Sequence, residues 1–79
     1  MTPERMVAAW VQWSRELHTA VGGEYSPQMR TRLRHWFMLG IEGQPRPVVN
    51  SNYDRPLVQA YRAGRAIREG WLATPVGAL

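Results

Sequence analysis

Arginine carries most of this chain's capacity for chemistry, and it is unevenly placed. All ten basic residues are arginine, against six acidic residues, and the formal net charge is +4. Residues 1–29 hold Arg5 and Arg15 against Glu4, Glu16 and Glu24, whereas residues 30–79 hold eight arginines against Glu42, Asp54 and Glu69. A guanidinium is a permanent cation whose planar fork of N–H donors matches phosphate oxygens. One-sided positive charge draws polyanions through long-range attraction and counterion release. The candidate contacts are Arg30 and Arg34, one helical turn apart, Arg62 and Arg65, and Arg46 between two prolines. Tyr53 is a candidate for base stacking, or else a lid over packed helices. For the helical arginines a plainer reading stays open: a solvated face, with Arg65 paired to Glu69 one turn on.

The other reactive side chains do not assemble into catalytic machinery. Ser14, Ser26 and Ser51 lack the Gly-x-Ser-x-Gly setting of a hydrolase nucleophile. The acids are scattered singly, with no paired carboxylates on one face. Gly40-x-x-Gly43 follows no strand and precedes no lysine, so it is not a phosphate-binding loop. His18 and His35 come from different segments, and the absence of cysteine removes thiolate ligands and disulfides. The expectation is a binding protein with no enzymatic activity, no cofactor and no metal. No stretch approaches the roughly 18 apolar residues of a membrane span, and no leader pattern opens the chain, so a cytoplasmic location is expected.

Three helices must position these arginines, and a chain of 79 residues has room for one small all-α domain. Thr2 as cap, Pro3 and Glu4 open the first helix, predicted over about 3–21. Met6, Trp10, Trp13, Leu17, Ala20 and Val21 form its apolar stripe, and Gly22-Gly23 closes it. Ser26-Pro27 repeats the start signal for a second helix over about 27–40, ending near Gly40 to Gly43, with Met29, Leu33, Trp36, Phe37 and Gly40 on its apolar face. Arg30 and Arg34 lie on one flank of that face, Arg32 and His35 on the other. A long loop is predicted over 42–54, where two prolines and a run of asparagine, serine and aspartate oppose helix. The third helix, over about 55–72, starts after Asp54 as cap with Pro56 in its first turn, and buries Leu57, Ala60, Tyr61, Gly64, Ile67 and Trp71. The residues beyond it show no pattern and are expected to fray. Trp10, Trp13 and Trp36 are read as core.

Gly40 and Gly64 are costly in a helix, by roughly 1 kcal/mol each relative to alanine. Both sit on apolar stripes three residues after an aromatic, Phe37 and Tyr61. The expectation is that helices two and three cross at these glycines, with the two rings packed over the crossing. Phe37-x-x-Gly40-x-x-Gly43, a proline-bearing loop ending in Tyr53, and Tyr61-x-x-Gly64 in an arginine-bearing helix together resemble the bacterial ribosome modulation factor family. The resemblance covers about residues 30–72 and leaves the first helix without a counterpart. The chain departs from the family in a loop about two residues longer. Ser51-Asn52-Tyr53 stands where the family has Cys-Pro-Tyr, and Gly64-Arg65 where it has glycine and an aromatic. The resemblance implies a two-helix unit that docks on small-subunit ribosomal RNA and suppresses translation.

Two functions are therefore expected of different kinds. One is an RNA-binding, ribosome-associated regulator that uses the arginine-rich helical surface. The alternative is a phage or mobile-element inhibitor that binds a bacterial host protein, since tryptophan, tyrosine and arginine anchor protein interfaces. A homodimer that buries leftover tryptophan surface is compatible with both.

Overall fold

In a computed structural model of the protein, residues 2–21, 25–48 and 55–73 are described. They form three helices, α1 (Pro3–Val21), α2 (Pro27–Glu42) and α3 (Arg55–Ala73), with no strand among them. The protein is an all-α small domain. Each described start follows its sequence signal. Thr2 Oγ1 accepts from the Arg5 backbone N–H at 3.3 Å. Ser26 Oγ accepts from the Met29 N–H at 3.2 Å, with Pro27 in the first helical turn. These bonds satisfy N–H groups that a helix start leaves without a partner. The predicted stop at Gly22-Gly23, the Asp54 cap and the expected fraying beyond residue 73 lie outside the described residues.

The end of α2 falls in the Gly40 to Gly43 stretch where the sequence places it. The helix runs through Gly40 to Glu42. Gly43 ends it with φ of 73°, donating to the Gly40 carbonyl at 3.1 Å, while Gln44 N–H donates to Leu39 at 2.9 Å. This paired-bond stop needs the left-handed conformation that glycine adopts most cheaply. The predicted loop of 42–54 is correspondingly shorter, and only residues 43–48 of it are described, so a loop along its whole length is not shown.

Among the described residues the buried core comes from two helices. Leu33, Trp36, Phe37 and Ile41 of α2 close on Leu57, Ala60 and Tyr61 of α3. Full burial of side chains of this size stabilises by about 1.5–3 kcal/mol each. α1 adds Met6, Ala9, Trp10, Trp13 and Leu17, all only partly buried. Trp10 and Trp13 are thus half-buried rather than core, because α1 lays one face on an α2–α3 pair that is already closed. The side chains of Ala20 and Val21 are outside the described residues.

The crossing of α2 and α3 falls at the two glycines. A Cβ built on Gly40 would sit 2.8 Å from the Arg65 backbone nitrogen and closer still to the Tyr61 carbonyl oxygen. One built on Gly64 would sit 3.1 Å from the Ile41 nitrogen and overlap the Phe37 carbonyl oxygen. Each glycine therefore meets the backbone of the aromatic that precedes its counterpart by one turn. The expected ring-on-ring packing of Phe37 and Tyr61 is not what fills the crossing. The Phe37 ring instead stacks on Trp13 at 5.3 Å and meets Trp10 edge-on at 5.5 Å. With the two backbones this close, no room is left between them for side chains.

Candidate nucleic-acid interface

The stop of α2 places the first arginine. Three carbonyls at this end receive partners: Gly43 and Gln44 cover Gly40 and Leu39, and Arg68 of α3 donates from Nη1 to Ile41 O at 3.0 Å. A cation at the carbonyl end also complements the helix dipole. The Arg68 guanidinium fills the space beside Gly43, where a Cβ would fall 2.8 Å from its Nε. One residue on, Gln44 O accepts from the Tyr61 hydroxyl at 2.6 Å. Tyr61 is buried, so this bond fastens the segment after α2 to the middle of α3. Sequence reasoning missed both Arg68 and the role of Gln44. Arg68 lies one turn after Gly64, on the side that faces α2, and that register was the available signal.

With residues 43–45 fastened, Arg46 lies beside α3. Pro45, Arg46, Tyr61, Arg62 and Arg65 line one open groove of about 400 Å³. It holds three of the expected phosphate-contact arginines and, among the described residues, no carboxylate. Arg46, Arg62 and Arg65 are all exposed. Arg65 Nε lies 3.4 Å from Glu69 Oε1, the i, i+4 pair the sequence allows, and both side chains are more than half exposed. Such a pair is weak, at about 0.3–0.5 kcal/mol, and its arginine keeps donors for another acceptor.

Arg30 and Arg34 are not part of that groove. They line a separate hollow of about 280 Å³ with Pro27, Thr31 and the half-buried Trp10. One basic surface predicted from sequence is therefore two. Tyr53, the candidate stacking residue or lid, lies outside the described residues.

A third cavity of about 430 Å³ separates α1 from α3 and is lined by Arg5, Trp13, Glu16, Ile67 and Trp71 among others. The Arg5 guanidinium lies over the Trp71 ring, 4.1 Å from its centroid. Trp71 is half-buried and part of its surface is taken by this cation. Among the described residues, no group of three or more histidine, aspartate or glutamate side chains comes close enough to hold a metal ion. No described helix is long and apolar enough to cross a membrane. Comparison with known proteins finds no match to a family model, to a curated protein or to a solved structure.

Proposed function

We propose that this chain is a non-catalytic, cytoplasmic RNA-binding protein whose primary contact is the groove of Arg46, Arg62 and Arg65. The observation that carries this reading is the convergence of those three guanidinium-bearing residues from two segments on one concavity whose described lining holds no carboxylate. Three fixed cations around a groove suit a phosphodiester backbone, whose charges recur along the strand. Pro45 and the Tyr61 hydroxyl bond hold the floor in place before any ligand arrives, which lowers the ordering cost of binding. The aromatic-x-x-Gly segments that resemble ribosome modulation factor make ribosomal RNA the first RNA to test and translation the process to monitor.

The test is binding of structured and single-stranded RNA across a salt series. Affinity is expected to fall steeply between about 50 and 200 mM salt. Arg62→Glu with Arg65→Glu is expected to weaken it at least tenfold while leaving the helical content unchanged. Salt-independent binding, or an affinity left unchanged by the double charge reversal, would refute the proposal.

A second reading, an inhibitor that docks on a host protein, is supported by a different observation. Val48 and Leu72 are 87% and 68% exposed, and Leu72 lines a hollow shared with Tyr61, Arg65 and Arg68. An apolar shoulder beside arginines is the make-up of a protein-interface anchor. A direct protein partner would remain bound after nuclease treatment and be released by Leu72→Asp. RNA capture would show the reverse on both counts.

A further inference from the structure

Arg30 and Arg34 have no place in the groove just described. They stand one turn apart on α2, at about 5–6 Å between Cβ atoms by helix geometry. Between them and α1 lies the hollow of about 280 Å³ whose wall is the accessible part of Trp10. Among the described residues no carboxylate lines it. Thr31 Oγ1 donates to the Pro27 carbonyl at 3.0 Å, which fixes the hydroxyl and leaves its oxygen facing as an acceptor only. Neither arginine forms an ion pair among the described residues. Trp10 itself is anchored, edge-on to Phe37 at 5.5 Å and tilted against Trp13 at 5.8 Å, so the hollow has a rigid aromatic wall.

The location separates this hollow from the Arg46 groove. On α3, Ile67 and Trp71 meet α1 on one flank. Arg65 and Arg62 follow and precede Gly64 by one and two residues, which puts them about 100° and 160° round the helix on the other flank. No α1 residue lines the Arg46 groove, whereas Trp10 of α1 lines the hollow. The two basic surfaces therefore lie on different sides of the α2–α3 pair.

We infer that the hollow of Trp10, Arg30 and Arg34 is a second nucleic-acid site that accepts one unpaired nucleotide, its base against the indole and its phosphate between the two guanidiniums. An indole gives the base a π surface of any sequence, and paired arginines supply donors to the phosphate oxygens. A duplex does not satisfy both contacts, because its bases are stacked on one another and closed to the indole. The inference rests on the RNA-binding reading above and adds that each chain holds two strands, one per side.

The test uses the full chain and a uridine tetranucleotide, read by nuclear magnetic resonance at the Trp10 indole N–H and by native mass spectrometry. Two oligonucleotides per chain are expected at saturation, with a saturable shift of the Trp10 indole. Arg30→Gln with Arg34→Gln is expected to reduce the count to one and to weaken the Trp10 response at least tenfold. Arg62→Gln with Arg65→Gln is expected to reduce the count to one with the Trp10 response intact. Trp10→Phe, which keeps an aromatic wall, is expected to retain two. One oligonucleotide bound with Trp10 unmoved overturns the second site and leaves the Arg46 groove standing. Equal movement of Trp10 by hexaglutamate overturns the nucleotide assignment. Absence of any oligonucleotide or structured-RNA binding overturns both readings together.

Discussion

The carbonyl oxygen of Phe37 occupies the space that a side chain at residue 64 would need, and Tyr61 stands in the same relation to Gly40. A methyl group at either glycine meets backbone, which cannot rotate away as a side chain can. Gly70, on the same helix, has nothing within 4 Å of the Cβ position. Alanine is the better helix former at all three positions, by about 1 kcal/mol. Gly70→Ala is therefore expected to raise stability by about 0.5–1 kcal/mol. Gly64→Ala is expected to lower it by about 1–3 kcal/mol through overpacking, despite its better propensity. Urea denaturation of the two variants checks this, and equal signs would contradict the crossing.

Much of this was legible in the sequence, for identifiable reasons. Thr2 and Ser26 announce helix starts because capping is a local bond, set by residues three apart. Gly40 and Gly64 announce a crossing because a glycine on an apolar stripe has no local rationale. What periodicity does not convey is which of three amphipathic helices close on each other first. The α1 stripe looks as apolar as the others, yet among the described residues the buried ones come from α2 and α3, and those of α1 remain half open. Bonds between distant segments were also hidden. Arg68 and Ile41, or Tyr61 and Gln44, meet only after the helices cross, and each joins a side chain to a backbone carbonyl. Likewise the arginines read as one surface, because sequence places residues on a helix face without saying on which side of the next helix that face ends.

Tyr61→Phe tests whether the segment after α2 is fastened as described. The variant keeps the buried ring and removes the hydroxyl bond to Gln44 O. Its expected cost is about 0.5–1.5 kcal/mol, the net worth of one hydrogen bond. The more telling result is local: amide hydrogen exchange at Gly43 and Gln44, whose N–H groups close the end of α2, is expected to quicken while Leu33 and Gly64 amides stay protected. Unchanged exchange after α2 would show that the hydroxyl positions nothing.

Arg5 and Trp71 are expected to be coupled. The guanidinium over the indole, 4.1 Å from its centroid, joins the start of α1 to the end of α3 across an otherwise open cavity. A double-mutant cycle with Arg5→Gln and Trp71→Leu should return about 0.5–1 kcal/mol, the usual size at a partly exposed site. A coupling energy of zero would mean that α1 is held by its apolar face on α2 and α3 without help from Arg5.

Glu69 and an RNA phosphate are rivals for Arg65. The existing pair is exposed, with Nε to Oε1 of 3.4 Å, and sits at the edge of the groove that also holds Arg46 and Arg62. Glu69→Gln removes the competing acceptor and one negative charge near the strand. Stability should change by less than about 0.5 kcal/mol, since an exposed i, i+4 pair contributes little. RNA affinity should rise, most at low salt, where charge near the site is least screened. Arg65→Gln acts in the opposite sense: for single-stranded RNA it should reduce the slope of log affinity against log salt by about 0.7, as one fewer phosphate is neutralised. In the double variant the slope should match Arg65→Gln, and most of the affinity gained from Glu69→Gln should vanish. If that gain instead persists in full without Arg65, Glu69 acts through general repulsion of the strand, and Arg65 is not a phosphate ligand.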